Sequence, residues 1–176
     1  QDKSQYLLSK KNYSWERDRL YLITIENSQK SLNSELSIQR ITLDDHYFLS
    51  PNGKQYNGKE LATNDSRVLG GIIDRDWIQF VQHSMDTNYG TSGIYHGIIY
   101  NYDTNPYVES KIISDSIIDF GYPNIASTGI NPNEKECVIG FNYTSINDTN
   151  GVSCVYMNNN EIYSNFTKLH RGNRAI

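Results

Sequence analysis

The sequence predicts an all-β fold, on three observations. Tyrosine is frequent, with 14 residues among 176, whereas proline is rare, with 4. Short runs rich in Tyr, Ile and Val alternate with polar turns rich in Asn, Ser and Thr, which is typical of strands joined by tight turns. Helical signals are nearly absent, because no stretch keeps an apolar face at helical spacing for more than two turns.

Pairs of strand-like segments predict three hairpins along the chain. They pair residues 19–28 with 35–43, 77–83 with 94–101, and 137–144 with 152–158. The hairpins start at Leu20, Trp77 and Cys137, about 57 to 60 residues apart, which indicates a repeat.

Each later hairpin is flanked by further strand-like stretches. These stretches lie at 66–76 and 108–116 around the second hairpin, and at 122–136 and 161–169 around the third. Four antiparallel strands per repeat is the organisation of a β-propeller blade. Runs such as LYLITI and CVIGF carry apolar residues on both faces, as in strands covered by neighbouring sheets. The sequence therefore predicts about three four-stranded blades in a single segment, 1–176, with units 15–62, 63–118 and 119–170.

The number of units predicts an incomplete ring. Propellers close with roughly 4 to 8 blades, so three units indicate a portion of a larger propeller. Uncovered blade faces are apolar, and we expect further protein to cover the two terminal units, either a continuation of the chain or a neighbour. Residues 1–18 and 169–176 lack a complete blade pattern and are predicted to be connectors.

Charge and hydropathy exclude two classes of partner. The 16 Lys and Arg residues and 20 Asp and Glu residues give a net charge of -4 and are scattered, whereas phosphate binding needs clustered cations. We therefore expect no nucleic-acid partner. The longest apolar runs are far shorter than the roughly 20 residues of a membrane helix, and we expect no transmembrane segment.

The two cysteines are predicted to be unpaired core residues. If Cys137 and Cys154 lie on the two strands of the third hairpin, Cys154 is opposite about residue 144. Cys137 is then about 20 Å away along the ladder, which exceeds the reach of a disulfide. If the strands were arranged in a different order, a disulfide between Cys137 and Cys154 would remain possible.

Several strings occur in a fixed order: TNDSRVLGG at 63–71, GIYHGIIYNY at 93–102, FGYPNIASTG at 120–129, and CVIGFNYTS followed by GVSCVY. Over about residues 15–170 they resemble a family of large surface or secreted propeller proteins from Gram-negative bacteria that export cargo by type IX secretion. The resemblance implies a sialidase-like, multi-blade propeller and an extracellular or cell-surface location.

The family pattern continues beyond the third unit into a Trp-Gly-Asp-Tyr element and further blades, whereas this chain stops at KLHRGNRAI. The resemblance thus implies an interior or truncated segment. The family has no single established reaction, so the resemblance bears on fold and location more than on activity.

Two functions follow as expectations. The first is an exported cell-surface module that binds or assembles protein or glycan. The alternative is part of a sialidase-like glycoside hydrolase whose catalytic residues are completed by absent blades. Sialidase chemistry needs an arginine group, a Tyr nucleophile beside a Glu, and an Asp acid, and Arg40, Arg67 and Arg75 occupy different positions in their units. No residue is therefore assigned as catalytic.

The first candidate ligand-binding group is Asn64, Asp65 and Arg67, at the start of a predicted inner strand. Arginine presents a planar fork to a carboxylate, and Asp and Asn can hydrogen-bond sugar hydroxyls. The alternative is that Asp65 and Arg67 pair with neighbouring blades and cap the strand. His96 is a further candidate because it can face His83 across the second hairpin, although a hydrogen-bonded core or edge histidine is the favoured explanation of each, since a metal site needs three or four ligands.

Two short motifs complete the candidates. The Asp-x-Asn-x-Gly spacing at Asp86 and Asn88 suits Ca²⁺, but the same loop is an ordinary hairpin turn. Calcium is the cofactor that this spacing suggests. Asp115-Ser116-Ile117 resembles the O-glycosylation acceptor of the same bacteria, with Ser116 as the modified residue.

Overall fold

The computed structural model describes residues 4–10, 17–27, 33–63, 65–131 and 133–173. Regular secondary structure in these residues consists of β-strands, and the prediction of an all-β fold is confirmed. Nothing in the described ranges forms a helix long and apolar enough to cross a membrane.

The strands of the described residues form antiparallel sheets. In chain order they are β1 (Gln5–Ser9), β2 (Arg19–Glu26), β3 (Glu35–Thr42), β4 (Gly53–Lys54), β5 (Glu60–Leu61), β6 (Val68–Ile73), β7 (Trp77–Met85), β8 (Ser92–Tyr100), β9 (Tyr107–Ile113), β10 (Ile118–Ser127), β11 (Cys137–Ser145), β12 (Asp148–Met157) and β13 (Thr167–Arg171). The first sheet has the order β1-β2-β3, the second β6-β7-β8-β9 and the third β10-β11-β12-β13, and β4 pairs with β5.

The predicted hairpins are confirmed. Trp77 lies opposite Tyr100 in the second sheet, Cys137 lies opposite Met157 in the third, and β2 pairs with β3 in the first. Strands occur before and after the second and third hairpins, as β6, β9, β10 and β13. β10 spans Ile118–Ser127, so it overlaps the predicted stretch 122–136 only at 122–127. In the described residues the first sheet has three strands where a four-stranded unit was predicted, and no closed ring forms, so the propeller itself stays a prediction.

The connectors predicted at the two ends are wrong in part. Residues 5–9 form β1, which pairs with β2, because Tyr6 and Leu8 alternate with exposed residues and pack toward the core. Leu169 to Arg171 belong to β13. Residues 1–3, 11–16 and 174–176 lie outside the described residues.

The cysteines are unpaired, as predicted, but the predicted register is wrong. Cys154 lies opposite Gly140 and not opposite residue 144. The reason is that the chain turns earlier, with Ser145 opposite Asp148. Cys137 is buried and Cys154 half-buried, so the core assignment holds for Cys137 alone, where burial raises the thiol pKa to about 12.

The second sheet is buried on both faces because alternate side chains of its central strands enter two different cores. Toward the third sheet, Trp77 and Val81 pack in one core with Phe120 and Ile139. Toward the first sheet, Ile78 and Phe80, which alternate with them along β7, enter the other core. That core also contains Tyr95, Ile99, Leu20, Leu22 and Ile41. The three sheets are therefore stacked face to face with the second in the middle.

A buried carboxylate attaches the segment between the first and second sheets to the stack. Asp119 is 3% exposed and accepts hydrogen bonds from the backbone N–H groups of Lys54, at 2.9 Å, and Ser92, at 2.8 Å. The Ser92 hydroxyl lies 2.6 Å from that of Ser50, and Thr144 donates to the Lys54 carbonyl at 2.8 Å. These bonds connect residues that are distant in sequence, and they fix β4 against the third sheet.

Replacing Asp119 by Asn is expected to lower the free energy of unfolding by about 2 kcal/mol, because the Asn side chain keeps one acceptor oxygen and turns an NH₂ group toward the other N–H donor. Urea unfolding measures the change. Asp115→Asn is the matched control. A single oxygen of Asp115, Oδ1, accepts from the N–H groups of both Ile117 and Ile118, so the substitution can keep both hydrogen bonds. Equal stability of the two variants would contradict the role given to Asp119.

Candidate functional site

Asp65 and Arg67, two of the predicted ligand-binding residues, form an ion pair with each other immediately before β6. The Arg67 Nε atom lies 2.7 Å from Asp65 Oδ1, and this hydrogen bond lowers the pKa of Asp65. Between them, Ser66 has a φ of 60° and donates its hydroxyl to the Phe48 carbonyl at 3.1 Å. Asn64, the third predicted member, lies outside the described residues. The pair is thus placed in a tight turn that is bound to the Phe48 segment.

Further cations lie around this turn. The Lys10 ammonium is 5.6 Å from the Tyr47 ring centroid, and the Arg17 guanidinium is 5.4 Å from the Phe48 ring centroid. The pKa of Lys10 is lowered, mainly by burial. The Asp65 carboxylate acts to raise this pKa, whereas Arg67 and Arg17 act to lower it further. Lys10, Arg17 and Arg67 therefore lie around Asp65 in the region where β1 ends and β6 begins.

Two adjacent buried residues of β7 carry polar atoms without hydrogen-bond partners. Gln82 and His83 are each 0% exposed. The Tyr122 N–H donates to His83 Nε2 at 2.6 Å, so the neutral ring carries its proton on Nδ1, which makes no hydrogen bond in the described structure. Both amide atoms of Gln82 likewise have no partner there. Burial lowers the pKa of His83 to about 4, although Asp65 opposes this shift.

His96 belongs to a separate group between the second and third sheets. Its Nδ1 lies 2.7 Å from the Tyr163 hydroxyl and its Nε2 3.1 Å from Gln79 Oε1. Burial lowers the pKa of His96 to about 4, with Glu161 opposing. In the ladder His96 is opposite Val81 and not His83. Both ring nitrogens of His96 are hydrogen-bonded inside the protein, and neither partner belongs to the Asp65–Arg67 pair.

Beside His96, three residues from different segments form an ionic hydrogen-bonded cluster. Tyr100 donates to Glu161 Oε1 at 2.8 Å, and the Lys135 ammonium lies 3.1 Å from the Tyr100 hydroxyl and also contacts Glu161. Burial raises the pKa of Tyr100 to about 12. Burial acts to raise the pKa of Glu161, but the hydrogen bonds from Lys135 and Tyr100 outweigh this effect, and the pKa is lowered. Tyr100 is therefore a protonated hydrogen-bond donor in this cluster.

A small cleft adjoins this cluster. Its volume is about 180 Å³, and its polar lining includes Glu109, Lys111, Glu161 and Tyr163. The Lys111 ammonium lies 4.7 Å from the Tyr163 ring centroid. Sequence reasoning missed this group because its members come from β8, β9 and the segments before β11 and after β12, with no shared local motif.

The predicted calcium loop is a hydrogen-bonded turn. Asp86 Oδ1 accepts from the Asn88 N–H at 2.7 Å, and its other carboxylate oxygen accepts from the Ser114 hydroxyl. Gly90, with a φ of 69°, closes the turn by donating to the Asp86 carbonyl at 2.7 Å. The described residues contain no group of three or more His, Cys, Asp or Glu side chains placed to hold a metal, and we carry the calcium prediction no further.

Ser116 lies in the connection between β9 and β10. It is exposed, and the preceding Asp115 carboxylate caps the turn by accepting the Ile117 and Ile118 N–H groups at 2.8 and 3.0 Å. The position is accessible to a modifying enzyme, and O-glycosylation of Ser116 stays a prediction.

The outer face of the first sheet is apolar and uncovered by the described residues. One row across its strands contains Leu7, Ile23 and Ile38, and the next contains Ile25 and Leu36. Leu7 is 52% exposed, Ile38 62% and Leu36 65%, whereas Ile23 and Ile25 are half-buried. We call these five residues the outer patch. The first sheet is thus apolar on both faces, which is typical of a sheet covered on both sides.

Comparison with protein-family models, with curated proteins and with solved structures finds no match to this chain. Three features of the described structure bear on function: the outer patch, the cations around Asp65 and the polar cluster around Tyr100. Of these three, the outer patch has the most direct physical consequence, because apolar surface of this kind favours association.

Proposed function

We propose that this chain is a segment of a β-propeller that acts as an assembly module, binding a further β-sheet through the outer patch. The single observation that carries the proposal is the exposure of Leu7, Leu36 and Ile38 on a sheet whose other face is already buried. Monomeric soluble proteins rarely leave large contiguous apolar patches in water. Covering the patch with another sheet removes it from water and extends the stack by one layer.

The order of the strands supports the propeller part of the proposal. The second and third sheets each have four antiparallel strands in sequence order, and they stack face to face, as consecutive blades do. The strings at 63–71, 93–102 and 120–129 support an exported, cell-surface protein of a Gram-negative bacterium. Hydrolysis is not proposed, since the described lining of the cleft beside this cluster contains no arginine for a substrate carboxylate.

The outer patch is expected to make the chain of residues 1–176 associate with itself in a concentration-dependent manner when no other sheet is supplied. Sedimentation velocity over a range of protein concentrations measures the association. Ile38→Asp is expected to abolish it, because a carboxylate in the centre of an apolar interface is costly to desolvate.

The control for this experiment is Ile162→Asp. Ile162 has the same exposure as Ile38, 62%, and lies between β12 and β13. The Ile162→Asp substitution should leave association unchanged. A wild-type chain that stays monomeric at every concentration, or association that survives Ile38→Asp, would refute the assembly role of the outer patch.

A further inference from the structure

The sequence contains three Asn-Gly pairs, at 52–53, 57–58 and 150–151. An asparagine before glycine loses its side-chain amide easily, because no side chain hinders the glycine nitrogen as it approaches the asparagine Cγ atom. In a folded protein the reaction also depends on the hydrogen bonds that hold the amide group and the glycine in place. The three pairs differ in these bonds.

Asn150 is fixed within the third sheet. It is 8% exposed, its Oδ1 accepts from the Thr144 hydroxyl at 2.8 Å, and its Nδ2 donates to Gln55 Oε1 at 3.1 Å. Gly151 lies inside β12, which pairs with strands on both sides. The neighbouring strands therefore keep the Gly151 nitrogen from turning toward the Asn150 side chain.

Asn52 is exposed, but its amide group is also held at both atoms. Nδ2 donates to Glu60 Oε2 at 3.0 Å, and Oδ1 accepts from the Thr63 N–H group at 3.2 Å. Gly53 is buried in β4, where an added Cβ atom would lie 2.5 Å from the Thr144 side chain. Movement of either residue of this pair toward the other breaks these contacts.

Asn57 lies at the exposed tip of the hairpin that β4 and β5 form. Its Oδ1 accepts from the Lys59 N–H group at 3.0 Å, whereas its Nδ2 donates no hydrogen bond in the described structure. Gly58 donates to the Gln55 carbonyl at 3.1 Å. It has a φ of 76°, and a Cβ atom added to it would meet nothing within 4 Å. The amide nitrogen of Asn57 is thus held by no protein group, and the neighbouring glycine lies in an open turn.

The tip of this hairpin can open while its base stays attached. At the base, the Lys54 N–H group donates to the buried Asp119 carboxylate at 2.9 Å. Exposed turns open locally at a much smaller free-energy cost than strands inside a sheet. Asn57 can therefore reach the reactive geometry within the folded protein, whereas Asn52 and Asn150 reach it only when anchored structure opens.

We propose that Asn57 is a site of spontaneous deamidation in the folded protein. The Gly58 nitrogen, after losing its proton to hydroxide, attacks Asn57 Cγ. A C–N bond forms, the bond to Nδ2 breaks, and ammonia leaves with a proton from water, which produces a five-membered succinimide. Water then opens the ring at either carbonyl and gives aspartate or isoaspartate at position 57. The reaction consumes one water molecule and needs no oxidant, reductant or enzyme.

Both products change the segment that connects the first sheet to the second. They place a carboxylate at the hairpin tip, between Lys54 and Lys59 in the sequence. Isoaspartate also adds one methylene group to the backbone before Gly58, which disrupts the hydrogen bond from the Gln55 N–H group to the Lys59 carbonyl. The site is separate from the outer patch, so the proposal goes beyond the assembly role.

Incubation of the 1–176 chain in isotopically labelled water at mildly alkaline pH, followed by proteolysis and mass spectrometry, measures the reaction at each Asn-Gly pair. The peptide with Asn57 should lose ammonia, gain one labelled oxygen and separate into an aspartate and an isoaspartate form. Asn57 should convert at least about tenfold faster than Asn52 and Asn150, which react only through opening of anchored structure. In urea the three pairs should convert at similar rates, because the folded contacts are gone.

Gly58→Asn tests the route of the reaction. Asparagine tolerates a positive φ, but its side chain hinders the backbone nitrogen, so conversion at Asn57 should slow at least about tenfold. An unreactive Asn57, equal rates at the three pairs in the folded chain, or the same preference for Asn57 in urea would each overturn the inference. Absence of isoaspartate, or an unchanged rate in Gly58→Asn, would also overturn it. Ile38→Asp should keep the rate at Asn57, so failure here is distinct from failure of the outer-patch proposal.

Discussion

Replacing Phe80 by Ala is expected to lower the free energy of unfolding by about 4 kcal/mol. Phe80 is 0% exposed and lies in the core between the first and second sheets. Its ring lies over Gly97 of the neighbouring strand, where an added Cβ atom would be 2.4 Å from two ring carbons, and its centroid is 6.0 Å from that of Tyr95. Truncation leaves a cavity between two stacked sheets, which cannot collapse without moving a strand.

Urea unfolding of Phe80→Ala measures this cost, with Tyr89→Ala as the control. Tyr89 is 59% exposed and lies in the turn between β7 and β8, so its truncation should change stability by less than about 0.5 kcal/mol. Gly97→Ala should destabilise the wild type and be tolerated in the Phe80→Ala background, because the ring that it meets is gone. A loss in Phe80→Ala no larger than in Tyr89→Ala would contradict the stacking of the sheets.

The hairpins could be predicted from sequence because both strands and the turn of each are local. Two apolar runs joined by a short polar turn specify that β7 pairs with β8 and β11 with β12. The register of the third hairpin was predicted wrongly because several positions in SINDTNG suit a turn, and the choice depends on which side chains reach the core. Cys137 and Met157 both face the core in the observed register.

The interactions between distant segments could not be predicted from local patterns. Asp119 accepts from the backbone of Lys54 and Ser92, and backbone donors have no sequence signal. Tyr100, Lys135 and Glu161 meet only because the second and third sheets stack. By contrast, the proximity of Asp65 and Arg67 was predictable, since a single residue, Ser66, separates them along the chain, whereas their relation to Lys10 depends on how the first sheet packs against the second.

Acidification from pH 7 toward pH 4 is expected to remove up to about 3 kcal/mol of stability for each of His83 and His96. Burial lowers the pKa of both from 6.5 to about 4, although Asp65 opposes the shift of His83 and Glu161 that of His96. As the pH falls through 6.5, the unfolded chain binds these protons while the folded protein does not, so the equilibrium moves toward the unfolded state. Above about pH 7 both states are neutral and this contribution to stability is complete; below about pH 4 the loss does not increase further.

Urea unfolding of the wild type, His83→Gln and His96→Gln between pH 8 and pH 4 isolates this effect, because glutamine does not titrate while all carboxylates remain. Each variant is expected to have a shallower loss of stability between pH 6.5 and pH 4 than the wild type, whatever its stability at pH 8. His170→Gln is the control, since His170 is exposed on β13, and its curve should run parallel to that of the wild type. Parallel curves for all four proteins would show that neither buried histidine is kept neutral by the stacked sheets, and would contradict the burial of both rings.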